Sequence, residues 1–263
     1  MLKPGVIALI LVALLAFSLG VHVDRSKSIL DKAYSQVVVV YCQHTLSGRP
    51  EYGTGWFIDH NHVITANHVV ASCVGNPLLI RAPWASNATI QAYDANLDIA
   101  LLEVERPPSW ASGLPLSYSL AIGDDVYVVG YPIQLYQEVE QSIEDMSKIP
   151  RVQKASVAWI NPDKKVFEFS PGTDAGNSGG PIVSAKSGGV VGIVIYARSG
   201  VVSEGFYGLR MDGIAQFLSE NHVKYQVAGS TSRRIAEWAG AGLVIFLGFL
   251  LLAKSEGVRI TWK

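Results

Sequence analysis

Three side chains stand in settings where proton transfer could be coupled to nucleophilic attack: His68 in TANHV, Asp98 in NLDIALLEV and Ser178 in DAGNSGGPI. A serine hydroxyl is a poor nucleophile at neutral pH unless a base removes its proton as it attacks, and an imidazole can do this and later return the proton to a leaving group. A carboxylate beside that imidazole fixes its tautomer and stabilises its charged form. Gly176, Gly179, Gly180 and Pro181 crowd around Ser178, so the chain there can bend to expose the hydroxyl. Singly, each residue has an ordinary reading: a turn serine, a helix-start histidine and a strand-entry aspartate. Only a fold that gathers all three gives them chemistry.

The elements that must do the gathering read as short strands. QVVVVYCQ, Gly55 to Ile58, His62 to Thr65, PLLIRAPW, ATIQAYD and DIALLEVE form one run, with one helical turn after Thr65. ERPPSWASGLPL, Glu105 to Leu116, has three prolines and no regular pattern, which marks an internal boundary. DDVYVVGYP, VQKASVAWI, KVFEFSP, GPIVSA, GVVGIVIYA and GFYGLRM form a second run. Ile133 to Ile149, with Glu138, Glu140, Glu144 and Asp145, reads as a solvated loop; MDGIAQFLSENHV reads as a closing helix through Ile214, Phe217, Leu218 and Val223. Two comparable runs of strands with few helices predict an all-β fold of paired antiparallel six-stranded barrels, over 24–116 and 117–228.

Both ends are apolar. Residues 4–23 contain no Asp, Glu, Lys or Arg and are long enough to cross a bilayer; an uncleaved anchor and a signal segment cleaved near Ser18-Leu19-Gly20 both fit. Residues 235–253 have Glu237 near their start and then no polar side chain from Trp238 to Ala253, which predicts a transmembrane helix after a linker at 229–234 and before a tail at 254–263. These ends raise the mean hydropathy to +0.26, and a net charge of −1 gives no case for nucleic acid. Cys42 and Cys73, the two cysteines, fit either a disulfide, which would add roughly 3 kcal/mol, or two buried thiols. A disulfide, and Asn87-Ala88-Thr89 as a glycosylation acceptor, would place the central region in an oxidising, extracytoplasmic compartment.

The motifs together resemble those of the chymotrypsin-fold, trypsin-like serine proteases. GNSGGP is similar to the nucleophile loop, TANHV to the histidine motif (with Asn67 where alanine is usual) and DIALLEV to the aspartate motif, in the chain order His, Asp, Ser. AIGDDVYVVGYP, and Asn177 before the serine, are closest to the HtrA-like branch, although only a helix, a linker and an apolar span follow where a PDZ domain is usual. The resemblance implies a double barrel with His68, Asp98 and Ser178 as the catalytic triad and the N–H groups of Gly176 and Ser178 as the oxyanion hole. It puts the base of a specificity pocket at Gly172 and Thr173, its wall at Ala197 and its back at Gly205, with Ile195, Tyr196 and Ala197 pairing with substrate backbone. None of these is charged, which implies a small or apolar P1 side chain, with Asp174 nearby as the one acid that could favour a basic residue.

Two departures bear on activity. Asn177 stands where zymogen-activated relatives have an aspartate that pairs with a new N-terminal amine, so activation by N-terminal insertion is not expected. Ile195 stands where many relatives have a serine that touches the aspartate, so Asp98 needs another donor. The sequence therefore predicts a membrane-tethered serine endopeptidase acting on protein or peptide substrates, with no cofactor and no metal ion. Its rivals are a catalytically silent peptide-binding or scaffold protein of a membrane complex, and a viral or phage processing protease. His60 and His62, in or beside a hairpin turn, read as solvated rather than metal-binding.

Overall fold

The computed structural model describes residues 28–132, 142–198 and 205–228, with backbone alone at 196–198 and 205. Among these no helix is long and apolar enough to cross a membrane; the two apolar spans, 4–23 and 235–253, lie outside the described residues.

Two closed six-stranded antiparallel barrels make up the structure. A helical stretch over 28–36 leads into β1 (Val37–Cys42), followed by β2 (Glu51–Phe57), β3 (His62–Thr65), β4 (Leu78–Arg81), β5 (Trp84–Asp94) and β6 (Ile99–Val104), which close in the order β1-β2-β3-β6-β5-β4. The second barrel takes β7 (Asp125–Gly130), β8 (Arg151–Asn161), β9 (Val166–Ser170), β10 (Pro181–Ser184), β11 (Val190–Arg198) and β12 (Gly205–Arg210), in the order β10-β11-β12-β9-β8-β7.

The unbroken valine run of β1 follows from burial on both faces. Val38 and Val40 point into the first barrel with Phe57, Val63, Leu79 and Leu102. Val37 and Val39 point the other way, into a core shared with Val129, Tyr131, Val183 and Ile193 of the second barrel. β-Branched residues suit such a strand because extended backbone leaves their stiff χ1 unstrained. The two barrels are thus held by a continuous apolar layer. The connection through Leu116 adds backbone bonds: Leu116 N–H donates to Gln226 O at 2.7 Å and Ser117 N–H to Val190 O at 2.7 Å.

The acidic segment expected as a solvated loop is partly helical. Its first part, 133–141, is outside the described residues, but Ile143–Lys148 forms a short helix whose N-cap Ser142 accepts from Asp145 N–H at 3.1 Å. Glu144 and Asp145 therefore sit where the helix N-terminus favours negative charge. Met146 and Ser147 are buried, and Ser147 Oγ accepts from Ala82 N–H at 2.9 Å, tying the helix to the first barrel. The density of acids concealed this apolar anchor. The closing helix, Met211–Glu220, buries Ile214, Phe217 and Leu218 as its spacing predicts, but it stops short of Val223, which is buried beyond the helix end.

Candidate active site

His68 lies in the single helical turn Asn67–Val70 that follows β3, anchored by buried Val69 and Val70. Cys73, just beyond, is bridged to Cys42 of β1, with 5.4 Å between their Cα atoms, a normal span for such a bond. Asp98 ends the turn before β6, where Asp94 Oδ1 accepts from the N–H groups of Asn96 and Leu97 at 2.8 and 3.0 Å. Its φ is +54°, a left-handed conformation that costs a non-glycine residue about 1–2 kcal/mol. The strain aims its carboxylate. His68 Nδ1 donates to Asp98 Oδ2 at 2.7 Å, and His68 N–H donates to Oδ1 at 2.9 Å. With the proton on Nδ1, Nε2 is left as a free base. The second donor that Asp98 lacks at Ile195, which is buried in the core between the barrels, is the backbone of His68 itself.

The loop before β10 is shaped by contacts from three directions. Gly176 and Gly179 have φ of +93° and +84°. A Cβ on Gly179 would run into the Thr54 carbonyl and the Thr65 hydroxyl and come within 2.7 Å of Ala66 N, so only glycine fits between β2 and β3. Thr54, fully buried, donates from Oγ1 to Gly176 O at 2.7 Å, accepts there from Tyr131 N–H at 3.0 Å, and donates its own N–H to Ser178 O at 2.8 Å. Asn177 donates to Thr173 Oγ1 at 2.7 Å. The N–H groups of Asn177, Gly179 and Gly180 are all used, on Asp174 O, Val194 O and Asn177 O. Those of Gly176 and Ser178 donate to no acceptor among the described residues.

Ser178 sits beside the His68 turn without bonding to it. A Cβ built on Gly53 would meet Val69 Cγ2 at 2.6 Å and Ser178 O at 2.9 Å, so the histidine turn and the serine backbone both close over that glycine. Among the described residues, the contacts join His68 to Asp98 and include no bond from Ser178 Oγ to His68. Free enzymes often hold this contact long and tighten it on substrate.

The residues expected to form the specificity pocket cluster as well. Ala197 pairs with Phe206 and Arg198 with Gly205 across β11 and β12, after a register shift between Val194 and Ala197. The Phe206 ring lies directly over Gly172, leaving no room for a Cβ there. Gly172 O accepts from Gln153 Nε2, and Thr173 is buried with its hydroxyl committed to Asn177. Asp174 is paired with Arg151 at 2.9 Å, which offsets the one negative charge near the pocket. Thr54, Gly53, Phe206 and Arg151 were not singled out by sequence. The Gly53-Thr54-Gly55 run on an otherwise bulky strand was the available signal, since glycine within a strand marks close backbone approach.

The remaining histidines of the turn are held locally. His60 Nδ1 lies 3.0 Å from Ala111 O, and His62 Nδ1 lies 2.8 Å from Asp59 Oδ2. The bond to Asp59 raises the His62 imidazole above its ordinary value despite its partial burial. Burial opposes ionisation of Asp59, but the bonds from the His62 ring and the Asn61 N–H outweigh it and hold the carboxyl below its ordinary value. No group of three or more His, Cys, Asp or Glu could hold a metal ion among the described residues.

Two antiparallel barrels with a His–Asp pair at the end of the first, and a glycine-rich serine loop before β10 of the second, define the chymotrypsin-like class. A trypsin-like peptidase domain matches residues 53–193, more than half of the chain, which therefore belongs to that family. Among curated relatives, the chain is 25% identical over 173 residues to Protease Do-like 1, chloroplastic, of Arabidopsis thaliana, covering 64% of this chain and 38% of that one. It is 32% identical over 162 residues to a probable periplasmic serine endoprotease DegP-like of Pseudomonas putida, covering 60% and 31%. The chain thus spans less than two-fifths of the length of these relatives. The Rv3671c protease of Mycobacterium tuberculosis, in its active form, shares the fold with a TM-score of 0.58 at 24% identity, over 76% of this chain and 86% of that one.

Proposed function

We propose that the protein is a membrane-tethered serine endopeptidase in which His68, Asp98 and Ser178 form the triad. Ser178 Oγ attacks the scissile carbonyl carbon as His68 Nε2 takes its proton, and Asp98 stabilises the imidazolium. The carbonyl oxygen becomes an oxyanion and accepts from the N–H groups of Gly176 and Ser178. Collapse breaks the C–N bond, His68 gives its proton to the departing amine, and an acyl-Ser178 ester remains. Water then attacks the ester, losing a proton to His68, which returns it to Ser178.

The observation that carries this reading is the pair of unpartnered N–H groups on Gly176 and Ser178, separated by the bonded N–H of Asn177 and followed by the bonded N–H groups of Gly179 and Gly180. Such a pair, one on the serine and one two residues before it, fits a developing negative charge. Phe206 over Gly172, and Arg151 on Asp174, favour a small or apolar P1 residue over a basic one. The apolar spans 4–23 and 235–253 supply the tether, and the Cys42–Cys73 bridge favours an oxidising, extracytoplasmic compartment. Ile195, the feature favouring a silent scaffold, loses its force because His68 N–H serves Asp98 instead.

A fluorophosphonate probe tests the reading directly. Labelling of the wild type that vanishes in Ser178→Ala, with cleavage after small apolar residues in a peptide library, supports it. A properly folded wild type that neither labels nor cleaves refutes it.

A further inference from the structure

The points where the described chain begins and ends meet at one place. The β10–β11 turn passes through Gly188 and Gly189. A Cβ on Gly188 would lie 2.8 Å from Ile29 Cγ1, and a Cβ on Gly189 would lie 2.6 Å from Ala228 Cβ. The segments that lead to the two apolar spans therefore leave the barrel side by side. Between Val23 and Ser28 there are four residues, and between Ala228 and Ile235 there are six. Fully extended chain reaches at most about 3.5 Å per residue step, so over five and seven steps these tethers can reach no further than about 18 and 25 Å.

We propose that the face formed by the β10–β11 turn, residues 117–118 and residues 224–228 rests on the bilayer that holds the two apolar spans. This rests on the membrane tether put forward above. The face has the composition that a polar–apolar interface favours. Tyr118 is 58% exposed and its hydroxyl lies 3.1 Å from that of Tyr225; Val227 is 44% exposed; Lys186 and Lys224 are exposed around them. Asp125, whose carbonyl accepts from Ala185 N–H, has its carboxylate paired with Lys154 at 2.8 Å.

The catalytic loop lies at the other end of the same barrel. Ser178 is joined to the turn through β10 (Pro181–Ser184), and the seven residues from Ser178 to Ser184 span at most about 20 Å. Facing this surface to the lipid points the cleft away from it while keeping Ser178 within about 40 Å of the bilayer by the same chain lengths. The substrates this suits are exposed, extended segments within a few nanometres of the membrane.

Both cysteines are in the disulfide, so single thiols can be introduced for labelling. The full chain is reconstituted in phosphatidylcholine–phosphatidylglycerol vesicles with a fluorophore at Lys186→Cys, Val227→Cys or, on the first barrel near the triad, Ala95→Cys. A nitroxide on the lipid headgroup is the quencher. The expected result is flotation with the vesicles and quenching at 186 and 227 stronger than at 95 by about twofold or more. Flotation with equal quenching at all three positions, or strongest quenching at 95, overturns the proposed face and leaves the tether standing. Failure to float overturns the tether and the face together.

Discussion

Thr54→Val replaces a buried hydroxyl by a methyl of nearly the same size and severs two bonds at once, to Gly176 O at 2.7 Å and from Tyr131 N–H at 3.0 Å. Taking one partner from a buried hydrogen bond costs about 1–3 kcal/mol, so the pair should cost about 2–4 kcal/mol of folding free energy. In a domain of this size that lowers Tm by about 5–12 °C. The catalytic effect is separate. Gly176 O fixes one side of the peptide that joins Gly176 to Asn177, and Ser178 O is held by Thr54 N–H, which the substitution keeps. Only the Gly176 end of the loop is released. Removing an oxyanion donor outright lowers kcat about 10²–10³-fold, so misaiming one should lower it about 10–100-fold. KM should move little, because the loss falls on the transition state. A fluorogenic peptide assay on Thr54→Val and on Thr54→Ser, which keeps the hydroxyl, separates the cases: Thr54→Ser should regain most of kcat. Thr54→Val that loses stability yet keeps the wild-type kcat would reduce Thr54 to a packing residue and refute the reasoning.

Gly179→Ala should fail to accumulate as folded protein or lose all activity, since its Cβ would overlap the Thr54 carbonyl and the Thr65 hydroxyl; a soluble, active Gly179→Ala checked by circular dichroism and peptide cleavage would contradict the packing described. Phe206→Ala removes the ring over Gly172 and should move the preferred P1 residue from small to larger apolar side chains, read in a P1-varied peptide library. His62→Gln tests the pair with Asp59 through pH. The folded-state value of His62 is raised, so its contribution is complete below about pH 6.5 and lost as pH rises through the raised value; that of Asp59 is lowered, so its contribution is lost only as acid passes the lowered value. The Tm gap between wild type and His62→Gln should therefore be widest between the lowered Asp59 value and about pH 6.5, and narrow as pH rises through the raised His62 value.

The strands and their division into two runs were legible because β-branched stretches and turn residues follow simple local rules. β1 illustrates the limit: its four valines predict burial, but which of them face the first barrel and which face the second depends on the partner strands. The helix Ile143–Lys148 was missed because one buried methionine and one buried serine decide it, and the sequence displays its acids instead. At the site, the sequence offered the candidate residues for chemistry and concealed those that hold them. Thr54 precedes Gly176 by 122 positions, and nothing local to either residue announces the bond. Phe206 and Gly172 likewise meet only after β9, β11 and β12 have paired.

The order of the serine loop is set within the folded barrels. An aspartate at position 177 would need a cation to neutralise it in a site that is 3% exposed. Asn177 needs none: its amide N–H donates to Thr173 Oγ1 and to Asp174 O, and its Oδ1 packs where a Cβ on Gly130 would come within 2.5 Å. The groups that shape the loop, from Thr54 and Thr65 through Gly130 to Val194, belong to strands β2, β3, β7 and β11, with Thr173 and Asp174 of the loop itself. None of these contacts requires a free amine delivered from the N-terminal side. On these contacts the geometry of the serine loop is complete within the barrels, without an ion pair at position 177.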